Sequence, residues 1–512
     1  LSLHDALPIY HSHLKSWVSI YEGAVLGEGC MVGSKTIIKP EIKVWPEKYI
    51  ESGSVLNSSM IWGNRWETNL FGNQGIDRTA NLEFTPEFAA KIGAAYGTVL
   101  PEKSRVIVST DNFYPARILK TALICGFLGS GIDVFDLGVM ATPITRYAVM
   151  LLEAQGGVHL RISPHNPENI LANFIDEKGL TINRDLERKI EQSFFTEEFK
   201  RAPIDGIGAI TYLPHLFEHY LEGITKVTDR EQIKKAQFKI VANYDAGTLS
   251  MLLPTLLTNL GCEVIDWDLE EKPTRPQTLK ELSLVISKIA HKVKSEKADL
   301  GIVVDNNAER LILVDEKGRL VKEEQFLALL SLFVLKYSQV DTIPLPVTAP
   351  MFIEEVAREH QGKVVRTKAN TRALMEKIVE TKIFPGKDGK THFQPSFDAL
   401  YSLTKVLELM AREKMRLSEL VSVLPPYYTD QKVVECSWED KGRVMRSLFE
   451  ENKEKKIEVI DGLKVYHDNG WALVLPDAEE PVFQVYSEAS SQEEADALTS
   501  LYMGRISDLQ IE

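Results

Sequence analysis

The stretch SRVIVSTDNFYPARILKTALICGFLGSGIDVFDLG, Ser104 to Gly138, decides the fold class. SRVIVST is a short apolar run rich in β-branched residues and reads as a buried strand. ARILKTALICGFLGSG reads as a helix stopped by glycine, with Gly129 and Gly131 at its end. GFLGSG is therefore weak as a phosphate-binding loop. IDVFDLG reads as a second strand. Strand, helix, strand at this length implies parallel pairing through a right-handed crossover, the unit of an α/β fold. The alternation returns at FKIVANYD, LSMLLPTLLTNLGC and EVIDWDL, Phe238 to Leu269. It returns more faintly at VDTIPLP, MFIEEVAREHQG and KVVRTKA, between Val340 and Ala369. The final block differs: QKVVECSW, a charged helix, IEVIDGLKVYHD, WALVLPD and VFQVYSEA suggest an α+β domain. LPPYYTD, Leu424 to Asp430, reads as the linker before it, and EENKEKK, Glu450 to Lys456, as a solvated helix end.

Upstream of these blocks an apolar residue recurs at every sixth position: Ile20, Leu26, Val32, Ile38, Val44, Ile50, Leu56 and Trp62. Glycines and small polar residues fill the gaps, as in VLGEGCMVGSK, Val25 to Lys35. A hexad repeat of this kind reads as a three-faced β-helix. The segment resembles the left-handed β-helix that follows the catalytic domain of many sugar-nucleotide pyrophosphorylases. Their Gly-rich nucleotide loop is not in this sequence. LSLHDALPI, Leu1 to Ile9, looks like the in-frame translation of a sequencing adapter, so a natural chain is expected to continue upstream.

The chain has 512 residues, 44% hydrophobic and 26% charged, with a formal net charge of −14. This is globular composition at a length for several domains. An acidic balance argues against a general nucleic-acid binder, and no nucleic-acid partner is expected. No apolar run approaches about 18 residues, so no membrane span is expected. Cys30, Cys125, Cys262 and Cys436 stand singly, which suits a reducing cytoplasm and neither a zinc site nor a disulfide framework.

Four motifs in order carry a resemblance to the α-D-phosphohexomutase superfamily of phosphoglucomutase and phosphomannomutase. LFGNQGIDR, Leu70 to Arg78, is similar to its opening signature. HLRISPHNPENILANFIDEKGLTI, His159 to Ile182, resembles its phosphoserine loop. ADLGIVVDNNAERLILVDEKGRLV, Ala298 to Val321, resembles its metal loop, and FDALYSLTKVLELMA, Phe397 to Ala411, the helix after its sugar loop. The resemblance implies three α/β domains and a C-terminal α+β domain. The boundaries expected are 10–66 for the β-helix, then 67–204, 205–320, 321–427 and 428–512.

In that family a phosphorylated serine carries the phosphoryl group. Mg²⁺, held by hard oxygen ligands, neutralises charge on the moving phosphoryl oxygens. Here Pro164 stands where the resemblance places the serine, ahead of His165, Asn166 and Pro167. Proline has no hydroxyl to phosphorylate. Ser163, one residue earlier, and His165 are the candidate catalytic residues of a degenerate loop. Asp305, Asn307 and Glu309 are the candidate metal ligands; with one position now an amide, Mg²⁺ is expected to be weak or absent. Arg310, Lys387, Lys390 and Glu480 are the candidate substrate contacts, though the two lysines read first as solvated loop residues. KDGKT, Lys387 to Thr391, and LPDAEEPVFQ, Leu475 to Gln484, stand where the resemblance puts the sugar and phosphate loops, with their charges changed. Thr110 and Phe113 replace arginines beside Asp111.

The leading expectation is a catalytically degenerate phosphohexomutase module behind a sugar-1-phosphate nucleotidyltransferase, in a homo-oligomer. An active mutase using Ser163 and Mg²⁺, acting on a hexose phosphate, is the alternative. A scaffold without ligand is the third reading.

Overall fold

Short strands wind the first part of the chain into a coil. In the computed structural model, described for residues 2–3, 7–8, 11–56, 59–60, 65–66, 70–213, 216–244, 247–266, 279–383, 395–478 and 480–511, these strands form three parallel sheets. Ser19 lies against Ile37 and Ile37 against Val55, so one turn takes 18 residues. His13, Met31 and Tyr49 form a second face, and Val25 and Lys43 a third. The second residue of each strand points inward: Ile20, Leu26, Val32, Ile38, Val44, Ile50 and Leu56 are at most 2% exposed and make one core. Trp62, the last member of the hexad, lies outside the described residues. The corners need left-handed backbone, and it recurs every sixth residue at His11, Trp17, Gly23, Gly29, Lys35, Glu41, Glu47 and Gly53. Ser2–Leu3 and Leu7–Pro8 pair with Ser19–Ile20 and Val25–Leu26.

The chain divides into two compact units. The first comprises Leu1–Gly138, Val158–Phe174 and Asn183–Tyr212; the second comprises Val139–Gly157, Ile175–Ile182 and Leu213–Glu512. The first unit holds the coil and most of a six-stranded sheet. The strand order is Ile76–Thr79, Asn169–Asp176, Gly156–Ile162, Arg105–Thr110, Asp133–Val139, Ile210–Tyr212. Arg105–Thr110 and Asp133–Val139 flank the helix Tyr114–Gly129, as the opening stretch requires. Gly156–Ile162 is buried at every position, the pattern of a strand covered on both faces. The helix Pro86–Val99 starts cleanly because the Thr85 side chain accepts from the Phe88 N–H and proline occupies the first turn.

The second unit repeats the alternation. Glu263–Asp266, Lys239–Asn243 and Leu300–Val304 pair in parallel, and Leu311–Asp315 and Leu320–Val321 extend that sheet antiparallel. Thr342–Pro346 and Lys363–Thr367 form a further parallel pair. The helix Ala399–Glu413 is buried along nearly its whole length. The C-terminal part is an antiparallel sheet in the order Tyr428–Glu435, Val482–Ala489, Gly470–Pro476, Leu463–His467, Ile457–Glu458. Two helices, Trp438–Asn452 and Gln492–Ile511, pack on it around Val444, Leu448, Tyr502 and Ile506. Two corrections follow. LPPYYTD is not all linker, because the first strand of this sheet begins at Tyr428. The helix Gln492–Ile511 was not anticipated from the sequence.

Candidate functional site

The loop between Gly156–Ile162 and Asn169–Asp176 carries Ser163 and His165. Burial ends where the loop leaves the strand: Ser163 is 0% exposed, while Pro164 through Glu168 are exposed. The Ser163 hydroxyl donates to Asp77 Oδ2 at 2.6 Å and accepts from the His165 N–H at 3.2 Å. Asn166 closes the turn, its Oδ1 accepting from the Glu168 N–H at 3.0 Å. Below the loop, Asp111 Oδ2 accepts from the Ile162 N–H at 2.8 Å and its Oδ1 from the Phe113 N–H at 2.9 Å. Asp111 thus fixes the strand end. Asp77 sits on the strand Ile76–Thr79, held in register against Leu171. Gly75 just before it has φ +132°, and a Cβ there would lie 2.0 Å from the Ala172 carbonyl oxygen. Only glycine lets this segment come so close to the loop's outgoing strand.

The Ser163 hydroxyl thus anchors the loop through hydrogen bonds. The inward side chain at 163 has the hydroxyl, and the outward one at 164 is proline. A phosphate on Ser163 would set its negative charge against the Asp77 carboxylate.

The second unit holds Asp305, Asn307, Glu309 and Arg310 on the turn between Leu300–Val304 and Leu311–Asp315. Asp305 Oδ1 accepts from the N–H groups of Glu309 and Arg310, both at 2.8 Å, so this oxygen closes the turn. Ala308 takes a left-handed φ of +59°, and its carbonyl accepts from the Ala399 N–H at 2.8 Å. The turn is thereby fastened to the start of the helix Ala399–Glu413. Asn307 is buried, and among the described residues its Oδ1 has no hydrogen-bond partner. That acceptor suits a cation, but the set as a whole does not fit a tightly held Mg²⁺. It offers two carboxylates, one already bonded to the loop, and a neutral amide. Among the described residues no three His, Cys, Asp or Glu side chains are grouped to hold a metal. Arg310 is exposed.

Asp398 caps the same helix, accepting from the Tyr401 N–H at 3.0 Å and from the Tyr220 hydroxyl at 2.8 Å. Complete burial raises its carboxyl to about 7. Lys387 and Lys390 lie outside the described residues.

Glu480 is exposed, on the turn between Gly470–Pro476 and Val482–Ala489. Here Asp477 Oδ1 accepts from the Glu480 N–H at 2.9 Å and Oδ2 from the Gln484 amide at 2.8 Å. Lys441 Nζ donates to the Asp477 carbonyl at 2.6 Å and to that of Glu480, with Trp438 beneath it at 3.9 Å. Burial holds this ammonium below the usual lysine range. The turn's donors therefore already hold a carboxylate, and its cation holds carbonyls.

Asp77 and Lys441 are the residues that sequence reasoning missed. Asp77 lies inside the quoted LFGNQGIDR, but its partner is 86 positions away. Lys441 sits on a helix whose charges read as ordinary solvation.

Comparison with known proteins fits this architecture. Residues 68–201 match the model of phosphoglucomutase/phosphomannomutase alpha/beta/alpha domain I, 218–318 that of domain II and 322–428 that of domain III. A phosphoglucomutase/phosphomannomutase of Thermococcus kodakarensis is 31% identical over 439 residues, 83% of this chain and 96% of the relative. A "probable phosphoglucosamine mutase" of Pyrococcus horikoshii is 31% identical over 438 residues, 84% of this chain and 95% of the relative. Among solved structures, a phosphoglucomutase/phosphomannomutase family protein of Burkholderia thailandensis superposes with a TM-score of 0.72 at 20% identity, over 86% of this chain and 98% of that one. With three domain models matched in order and identity sustained across whole relatives, this chain belongs to the phosphoglucomutase/phosphomannomutase family.

Proposed function

We propose that the chain works in sugar-phosphate metabolism as a member of this family that meets hexose phosphates without carrying a phosphoryl group on its own serine. The observation that supports this is the direction of side chains at the loop tip. Ser163 is buried on Asp77, and the exposed neighbour is Pro164. Covalent transfer through a serine needs a hydroxyl that can reach the substrate phosphate.

The coil ahead of the mutase fold supports a finer part of the proposal, service to a sugar-1-phosphate nucleotidyltransferase. The outward-facing Met31, Ile37, Tyr49 and Val55 on it support association of copies. Free cysteines, three of them buried, support a reducing cytoplasm. Among the described residues no helix is long and apolar enough to cross a membrane.

One finding favours a second reading, an active mutase using Ser163 with Asp305, Asn307 and Glu309 around Mg²⁺. The relatives matched over nearly their whole length are named as mutases. The deciding experiment is a mutase assay on mannose 1-phosphate and glucose 1-phosphate with Mg²⁺ and a hexose bisphosphate, beside Ser163→Ala. No turnover in either protein, with a thermal shift on hexose phosphate, is the expected result. Turnover lost in Ser163→Ala establishes the second reading.

A further inference from the structure

The C-terminal sheet meets the segment between Thr342–Pro346 and the helix Phe352–Glu359 through a joint with an unusual charge. Glu488, on the strand Val482–Ala489, is buried. Its Oε2 accepts from the Met351 N–H and, at 2.9 Å, from Trp471 Nε1; its Oε1 accepts from the Phe352 N–H at 3.2 Å. A carboxylate from the sheet thus caps the start of a helix in the preceding domain. Val347, Trp471 and Leu473 make the apolar part of the joint, with Met351 against them. On the far side Arg366 holds the 346–350 turn by its carbonyls, at 3.0 Å from Pro346, 2.6 Å from Ala349 and 3.2 Å from Pro350.

Lys464 lies in the middle of this joint, 1% exposed. Its ammonium rests 3.8 Å from the centre of the Trp471 ring and 5.7 Å from that of Tyr466. Among the described residues it makes neither a hydrogen bond nor an ion pair. The charges facing it are committed elsewhere. Glu488 holds the helix start, Glu354 pairs with Arg366, and Glu458 accepts from the Tyr466 hydroxyl at 2.8 Å. Arg366 adds a like charge. A lysine almost stripped of water, whose facing carboxylates are each bonded elsewhere, weighs against the closed joint.

We propose that Glu488 latches the C-terminal domain to the domain before it, and that the charge on Lys464 keeps this latch able to open. Opening returns the ammonium to water and leaves the hydrophobic stem free to follow Trp471.

The direction of the pH effect follows from the two environments. Burial, reinforced by Arg366, lowers Lys464 to about 8 in the closed joint. In water a lysine titrates at about 10.4. The open form holds the proton more tightly, so lowering the pH through this window favours opening, and below about 8 the bias is complete. The two pKa values differ by roughly two units, which allows up to about a hundredfold change in the open population.

Hydrogen exchange on the intact chain tests this, with Lys464→Met, Lys464→Arg and Glu488→Gln compared with the parent at one pH. Methionine keeps the stem and the aromatic contact and removes the charge. At pH 7 the expected result is at least about tenfold slower exchange in Lys464→Met. The slowing should be confined to peptides spanning the joint, near Val347–Glu354 and Gly470–Pro476. Lys464→Arg should not slow them, and Glu488→Gln should speed them. Between pH 7 and 9.5, after correction for intrinsic rates, the gap between the parent and Lys464→Met should narrow by at least about tenfold. Unchanged joint peptides in Lys464→Met overturn the proposal. So does slowing spread equally over the helix Trp438–Asn452, which would place the lysine's effect on folding of the domain. Because Lys464→Met removes an unfavourable charge, its result stands even where Glu488→Gln fails to fold.

Discussion

Replacing Pro164 with serine should convert the loop into a phosphate acceptor at position 164 while leaving Ser163 unmodified. The reasoning rests on the 2.6 Å contact between the Ser163 hydroxyl and Asp77. A phosphate bound through that hydroxyl would hold oxygens within about 4 Å of the carboxylate. At an effective dielectric constant of about 20, each pair of unit charges at that distance costs about 4 kcal/mol. With about 1.5–2 charges on the phosphate the repulsion reaches about 6–8 kcal/mol. Solvent at the half-buried Asp77 reduces this by roughly half, which still disfavours phosphoserine 163 by a few hundredfold. Position 164 points outward, so the same penalty does not arise there. The assay is intact-protein and peptide mass spectrometry after incubation with glucose 1,6-bisphosphate and Mg²⁺, for the parent, Pro164→Ser, and Pro164→Ser with Ser163→Ala. The parent should gain no phosphate, and both variants should gain it at residue 164. Phosphate on Ser163 of the parent would refute the electrostatic argument and favour the active mutase.

Three further outcomes follow from single sites. Ile38→Ala empties a fully buried position of the coil and should cost about 2–4 kcal/mol, read by chemical denaturation. Gly75→Ala drives a methyl against the Ala172 carbonyl at an unfavourable φ and should lower stability by about 1–3 kcal/mol, read from the melting temperature. Asp398 titrates near 7 instead of 3.8, so the folded chain binds this proton more tightly than the unfolded one. Its stabilising contribution is therefore full below pH 3.8 and fades as the pH rises to about 7. Asp398→Asn should flatten the loss of stability between pH 5 and 7.5 by about 2 kcal/mol, measured by denaturant midpoints at both pH values.

The parts of this molecule that read well from sequence are those governed by a short period. The coil announces itself because one inward residue in six must be apolar, and Ile20 to Leu56 obey this without a gap. The strands Arg105–Thr110 and Lys239–Asn243 read because a strand covered on both faces is a continuous apolar run. The helix Gln492–Ile511 escaped notice because its apolar residues do not fall on a clear stripe. The start of the strand at Tyr428 was hidden by the two prolines before it. At the loop tip, the proline at 164 was legible as a residue type. The burial of Ser163 on Asp77 was not, since that depends on a residue far away in the chain and on which way two adjacent side chains point. The same holds for Lys464, an ordinary strand lysine by sequence whose character comes from Trp471 and from carboxylates already engaged.

A turn of the coil takes 18 residues and advances by one interstrand spacing, about 4.8 Å. Its length is thus quantised. Inserting a further 18 residues at a corner such as Pro46 would translate the preceding chain by one step and leave its facing direction unchanged. Inserting six would add one strand and swing that chain by a third of a revolution. In evolution or design the coil can serve as a ruler only in whole turns, while shorter insertions turn it into a dial that re-aims what it carries.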